Sequence, residues 1–153
     1  MGVLCKMPVS KPQRTLELLI IEDNPGDIRL LEEVFQEIGA NINIRIARDG
    51  AEAIDLILNP QHPKRSWRPD LILLDLNLPK VSGHDVLVRL KNHPQACLIP
   101  VIVMTSSRAE SDVRRAYSSH ANAYLRKPTT LDGLISAAKD VKNFWMETAT
   151  LPD

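Results

Sequence analysis

Residues 71–79 read Leu71-Ile72-Leu73-Leu74-Asp75-Leu76-Asn77-Leu78-Pro79. Four apolar residues without alternation predict a strand covered on both faces, as in the centre of a parallel sheet. The run stops at a carboxylate. The same pattern recurs on either side. Leu16-Glu17-Leu18-Leu19-Ile20-Ile21 ends in Glu22-Asp23, and Val101-Ile102-Val103-Met104 ends in Thr105-Ser106. Ala123-Tyr124-Leu125 is a short further strand with Lys127-Pro128 just beyond it. Ile42, Ile44 and Ile46 alternate with Asn43, Arg45 and Ala47, which predicts a strand near a sheet edge.

Helical periodicity fills the intervals. Ile28, Leu31, Val34, Phe35 and Ile38 recur at steps of three and four, with Pro25 early and Gly39 as a stop. Asp49 or Gly50 opens a second helix with Ala53, Ile54, Ile57 and Leu58 on its apolar side. Ser82-Gly83 precedes a third through Val86, Leu87 and Leu90. A less apolar helix is expected from about Glu110 to His120, and a long one from about Thr130 to Met146. Residues 59–69 carry three prolines and three basic residues and read as an exposed loop. Strands alternating five times with helices predict an α/β fold, a doubly wound five-stranded parallel sheet with helices on both faces. The expected organisation is an N-terminal tail over 1–15, one domain over 16–146 and a C-terminal tail over 147–153.

Composition narrows the function. Nineteen basic residues balance nineteen acidic ones, and 44% of the chain is hydrophobic. That fits a globular domain and gives no support to nucleic-acid binding through a basic surface or to polybasic membrane attachment. No apolar run approaches the ~20 residues that span a bilayer. The two cysteines, Cys5 and Cys97, form neither a disulfide framework nor a zinc spacing, and read as reduced thiols in a cytoplasmic protein.

In an open parallel sheet all carboxyl ends of the strands share one edge, where ligands bind. That brings Glu22, Asp23, Asp75, Thr105 and Lys127 together. Three carboxylates repel one another, and a single lysine does not balance them. A hard divalent cation with oxygen ligands does, and Mg²⁺ suits a few carboxylates plus water and phosphate. The chemistry this favours is phosphoryl transfer to a side chain, with Asp75 as nucleophile and Lys127, Thr105 and the metal on the transferring oxygens. Taken singly these residues are unremarkable: an acidic strand end, a turn cap, a solvated lysine, a helix cap. The ordered set, each at a strand end, carries the reading.

That set resembles the receiver domain of two-component response regulators over residues 17–146. The matching pieces are Ile20-Ile21-Glu22-Asp23-Asn24, Leu73-Leu74-Asp75-Leu76-Asn77-Leu78-Pro79, Thr105-Ser106 and Lys127-Pro128. The resemblance implies a flavodoxin-like (βα)5 fold and phosphorylation of Asp75 by a sensor histidine kinase with Mg²⁺. It implies that Glu22, Asp23 and Asp75 bind the metal together with the backbone carbonyl of Asn77. Thr105 would be the switch hydroxyl, Tyr124 the switch aromatic, and Lys127 the partner of the phosphoryl group, with a cis bond at Lys127-Pro128. Gly83 falls where the family turns tightly after the third-strand loop. Tyr124 also suits plain core packing.

Leu76-Asn77-Leu78-Pro79-Lys80, the loop at 59–69 and the ending Phe144-Trp145 to Pro152 are similar to the small single-domain regulators that partner phytochromes. That subgroup dimerises through the fourth helix, fifth strand and fifth helix. The last helix carries a stripe of Leu131, Leu134, Ile135, Ala138, Val141 and Trp145, widened by Phe144. A homodimer is expected through Tyr117, Ala138, Val141, Phe144 and Trp145, with aspartate at Ala138 or Trp145 breaking it. The output would be a changed protein surface, with no DNA-binding module after the fifth helix and no turnover of a separate substrate. Two rivals stand beside this reading. A phosphorylation-independent pseudo-receiver would need none of the five strand-end residues. An Asp-nucleophile phosphatase needs a general acid two residues on, where Asn77 stands.

Trp67 amid Lys64, Arg65 and Arg68 reads as cover for an apolar patch rather than as a base-stacking platform. His62, His84, His93 and His120 show no metal spacing and read for the most part as solvated or capping residues.

Overall fold

The structure is a computed structural model, and it describes residues 14–39 and 41–153. The expected tail at 1–13 and the reading of Cys5 lie outside the described residues. Five strands alternate with five helices: β1 (Leu16–Ile21), α1 (Pro25–Glu37), β2 (Ile42–Ala47), α2 (Gly50–Leu58), β3 (Leu71–Leu74), α3 (Gly83–Asn92), β4 (Val101–Thr105), α4 (Glu110–Ser118), β5 (Ala123–Arg126) and α5 (Leu131–Lys142). The strands form one parallel sheet in the order β2-β1-β3-β4-β5. This is the doubly wound, flavodoxin-like arrangement.

Strand parity sorts the core into two layers. Leu19, Ile21, Ile72, Leu74, Val101 and Val103 face one side, packed with Leu87 and Leu90 of α3 and Ala116 of α4. Leu18, Ile20, Leu71, Leu73, Ile102 and Met104 face the other, packed with Leu31 and Phe35 of α1 and Leu134 of α5. The central strands bury both faces, which is why their runs do not alternate. β2 lies at the edge, as its alternation suggests.

Side-chain caps fix where the helices begin. The side chains of Asn24, Asp49, Ser82 and Thr130 accept from the backbone N–H groups of Asp27, Glu52, Asp85 and Gly133. Each such cap contributes about 1 kcal/mol.

Several expectations change in detail. α5 ends at Lys142 and continues as a wider helical turn over Asn143–Thr148, so Glu147 and Thr148 belong to helix rather than tail. Leu151 folds back on the α1–α5 core layer, and Arg14 reaches Asp70 at 2.6 Å, so the C-terminal tail is packed at Leu151 and the chain before β1 is paired at Arg14. No cis peptide bond occurs among the described residues, so Lys127-Pro128 is trans. Trp67 does cover the core: its Nε1 donates to Glu17 Oε2 at 3.0 Å, and the Arg45 guanidinium stacks 4.3 Å from its ring. Cys97 is a free thiol whose Sγ donates to the Pro94 carbonyl. Among the described residues no helix is long and apolar enough to cross a membrane.

Candidate functional site

The strand order reverses between β1 and β3, and the crevice at their carboxyl ends is where such folds bind ligands. Register does the assembly. Ile21 pairs with Leu74, and the Asp75 N–H donates to the Ile21 carbonyl at 3.0 Å, so Glu22 and Asp75 leave adjacent strands side by side. On the far side, the Lys127 N–H donates to the Thr105 carbonyl at 2.8 Å, which fixes the start of the lysine's reach across the sheet edge.

Lys127 Nζ then lies at the centre of an acidic cluster. It donates to Glu22 Oε2 at 2.6 Å, Asp75 Oδ2 at 2.9 Å and Asp27 Oδ2 at 3.0 Å. Asp75 Oδ1 accepts from the Asn77 N–H at 3.2 Å, and Glu22 Oε1 from the Asn24 N–H at 3.1 Å. Glu22, Asp75 and Thr105 are buried, whereas Asp23 is exposed at the mouth. Burial pushes the Glu22 carboxyl up to about 7, the Asp75 charge adds to that, and Lys127 opposes it. Burial also works against the Lys127 ammonium, but its bonds to Glu22, Asp75 and Asp27 outweigh this and hold its pKa above the ordinary lysine value.

Four carboxyl groups against one ammonium leave the pocket net negative even with Glu22 partly protonated. Glu22, Asp23 and Asp75 each offer a carboxylate oxygen, and these oxygens lie within 4.8 Å of one another. Hard oxygen donors at that separation fit one divalent cation that keeps part of its water shell. The donor set is all oxygen, which suits Mg²⁺ or Mn²⁺ rather than a thiolate-seeking metal.

The hydroxyl side of the site is a second hydrogen-bonded unit. Thr105 Oγ1 accepts from the Ser107 N–H at 3.5 Å, and the Tyr124 hydroxyl donates to the Ser107 carbonyl at 3.1 Å. Ser107 Oγ donates to Asp112 in the first turn of α4. Thr105, on β4, is one strand from Asp75, on the same sheet edge.

Glu22, Asp23, Asp75 and Lys127 therefore converge as expected, with the Asn77 N–H on Asp75 and Thr105 alongside. Asp27 was missed. The segment Asn24-Pro25-Gly26-Asp27 reads as turn and helix start, and its N–H is indeed capped by Asn24 at 3.0 Å. Its carboxylate nonetheless turns back to the lysine. The available signal was an acid one helical turn beyond the Glu22-Asp23 pair.

The expected docking face is corrected in part. Ala138 is 1% exposed and Val141 5%, both inside the chain's own α1–α5 core layer, so neither reaches a second copy. Tyr117 and Phe144 are each 50% exposed. Trp145 is partly buried against the same core layer, edge-on to Phe144 with ring centroids 4.9 Å apart.

Comparison with known proteins agrees with this geometry. The profile of the response regulator receiver domain matches residues 18–139. The chain is 41% identical over 135 residues to response regulator Rcp1 of Synechocystis sp., covering 88% of this chain and 92% of that protein. The crystal structure of the phosphorylated cyanobacterial phytochrome response regulator RcpA superposes with a TM-score of 0.85 at 38% identity, covering 92% of this chain and 100% of that one. The Mn²⁺-bound form of Rcp1 superposes with a TM-score of 0.82 at 40% identity, covering 90% and 99%.

Proposed function

Because the chain belongs to the response regulator receiver domain family, and is related to phytochrome response regulators, we propose that Asp75 is its phosphoacceptor and that a phytochrome-type sensor histidine kinase is the donor. The observation that carries this reading is the Asp75 carboxylate at the end of β3, held at 2.9 Å by Lys127 within an acidic pocket. An Asp75 oxygen attacks the phosphorus of a phosphohistidine, the P–N bond breaks, and the imidazole leaves with its electron pair and takes up a proton. The product is an acyl phosphate, and water later returns the carboxylate and inorganic phosphate. The domain thus acts on its own side chain, in a family that is not in general one of turnover enzymes.

Glu22, Asp23, Asp75 and the Asn77 carbonyl would hold Mg²⁺, which when bound supplies Lewis-acid charge to the transferring oxygens. Lys127 orients Asp75 and contributes a second positive charge to those oxygens. Thr105 offers a hydroxyl to one of them. Turning toward it, Thr105 gives up the Ser107 N–H, and Tyr124 follows the loop inward. One local charge event thereby moves the β4–α4 surface.

The signal leaves through protein contacts in the cytoplasm. The exposed Tyr117 and Phe144, with Trp145 beside them, are the face on which a second copy would pack through α4, β5 and α5. The test is transfer from an autophosphorylated phytochrome-type kinase. Label is expected to move to the wild type and not to Asp75→Asn, and to stop when EDTA removes the metal. Label on Asp75→Asn would refute the assignment.

A further inference from the structure

His84 is the second residue of α3, 6% exposed, and nothing in the phosphoryl site uses it. Its Nε2 lies 3.2 Å from Asp112 Oδ1, and an ionised carboxylate only accepts, so Nε2 carries the hydrogen. Its Nδ1 is buried with no hydrogen-bond partner. Burying a polar nitrogen unpaired carries a cost that an apolar residue of similar size would avoid. Packing alone does not account for an imidazole here, and its one polar anchor is the acid on α4.

Both ends of this contact lead to the switch. On one side, the Gly83 N–H donates to the Leu76 carbonyl at 3.0 Å, and a Cβ at Gly83 would lie 2.2 Å from the Asp75 carbonyl. The start of α3 therefore rests directly on the acceptor's backbone. On the other side, Asp112 accepts from Ser107 Oγ, and Ser107 also holds the Tyr124 hydroxyl and donates its N–H to Thr105. Asp112 is the junction, with one oxygen for α3 and one for the loop that carries Thr105.

We propose that His84 is a positioning residue that, through Asp112, ties the β4–α4 loop and α4 to α3 in the resting arrangement. This rests on the reading of Asp75 as phosphoacceptor. Recruitment of Thr105 to an occupied Asp75 draws the backbone of residues 105–107 toward the site and loads the Ser107–Asp112 hydrogen bond, which the His84–Asp112 contact anchors. Weakening the anchor shifts the population toward the occupied-state arrangement before any phosphoryl group arrives.

The experiment compares backbone amide NMR spectra of wild type, His84→Leu, His84→Gln and Asp112→Ala, each alone and with Mg²⁺ and beryllofluoride as the phosphoryl mimic. Leucine keeps bulk but loses the donor, and glutamine keeps an N–H near the position of Nε2. Asp112 is one-third exposed, so its alanine variant breaks the same contact from the α4 side, together with the Ser107 bond, without opening the core, and marks the largest shift the junction can give. In wild type the two spectra define a line for each amide of residues 106–118. Probe-free His84→Leu and Asp112→Ala are expected part of the way along those lines, with His84→Gln back at the wild-type free end. A purely structural role would move amides near the substitution off the lines. Free-end or off-line positions in His84→Leu overturn the proposal whatever Asp112→Ala does, and if His84→Leu does not fold, His84→Met, which also lacks the donor, decides in its place. A wild type that ignores beryllofluoride overturns the acceptor reading first, and this inference with it.

Discussion

Replacing Gly83 by alanine tests how closely helix packing and acceptor geometry are joined. A Cβ there would lie 2.2 Å from the Asp75 carbonyl oxygen, 2.5 Å from Leu76 Cα and 3.0 Å from the Asp75 carbonyl carbon. All three are backbone atoms, so no side chain can swing aside. Carbon and carbonyl oxygen pack no closer than about 3.3 Å, so the two segments must part by roughly 1 Å. Overpacking of this kind costs about 1–3 kcal/mol, and a backbone obstacle argues for the upper end. Alanine's better helix propensity returns up to ~1 kcal/mol. The net is a loss of about 2 kcal/mol, or roughly 4–8 °C in Tm for a chain of this size. The displaced backbone carries Asp75, and misplacing a reacting group by ~1 Å slows its reaction about 100-fold. Thermal unfolding and the initial rate of Asp75 labelling by acetyl phosphate are the assays. Gly26→Ala is the control, because its Cβ meets only the Asn24 side-chain oxygen, at 3.2 Å. A Gly83→Ala protein with wild-type Tm and labelling rate would refute the reasoning.

Three further outcomes follow from the geometry. Mg²⁺ at ~100 times its Kd is expected to stabilise the wild type by about 2.7 kcal/mol, and to do little for Asp23→Asn, in differential scanning fluorimetry. Asp49→Ala removes the α2 cap and is expected to cost about 1 kcal/mol at neutral pH. Asp49 is held below the usual carboxylate range by the Glu52 N–H and then Lys80, so its advantage over alanine is present above the unfolded pKa and fades as pH falls through the lowered folded one. Tm curves of the two proteins should therefore converge in acid. Finally, Phe144→Asp is expected to sediment as a folded monomer, whereas Ala138→Asp buries an unpaired charge and should unfold the chain instead of merely parting a dimer.

The layers of the fold were legible because burial on both faces removes alternation from β1, β3 and β4, and because caps such as Ser82 stand where helices begin. The convergence of Glu22, Asp23, Asp75 and Lys127 was legible for a related reason: parallel strands deliver all their carboxyl ends to one edge. What stayed hidden depends on which neighbour a side chain meets. Asp27 reads as a helix-start acid until Lys127 arrives from 100 residues away. His84 reads as an isolated histidine until α4 places Asp112 beside it. The α5 stripe reveals an apolar face, but a period of 3.6 does not say whether α1 or a second copy covers it. For Ala138 and Val141 the answer is α1 and the sheet. Gly83 suggests a tight turn, whereas the backbone shows a close approach.

The central claim is tested most directly by intact-protein mass after incubation with acetyl phosphate. With Mg²⁺ the wild type should gain a labile ~80 Da, one phosphoryl group, and Asp75→Asn should gain nothing, nor should the wild type in EDTA. An unlabelled wild type, under conditions that label another receiver domain, would contradict the account, as would a gain that survives in Asp75→Asn.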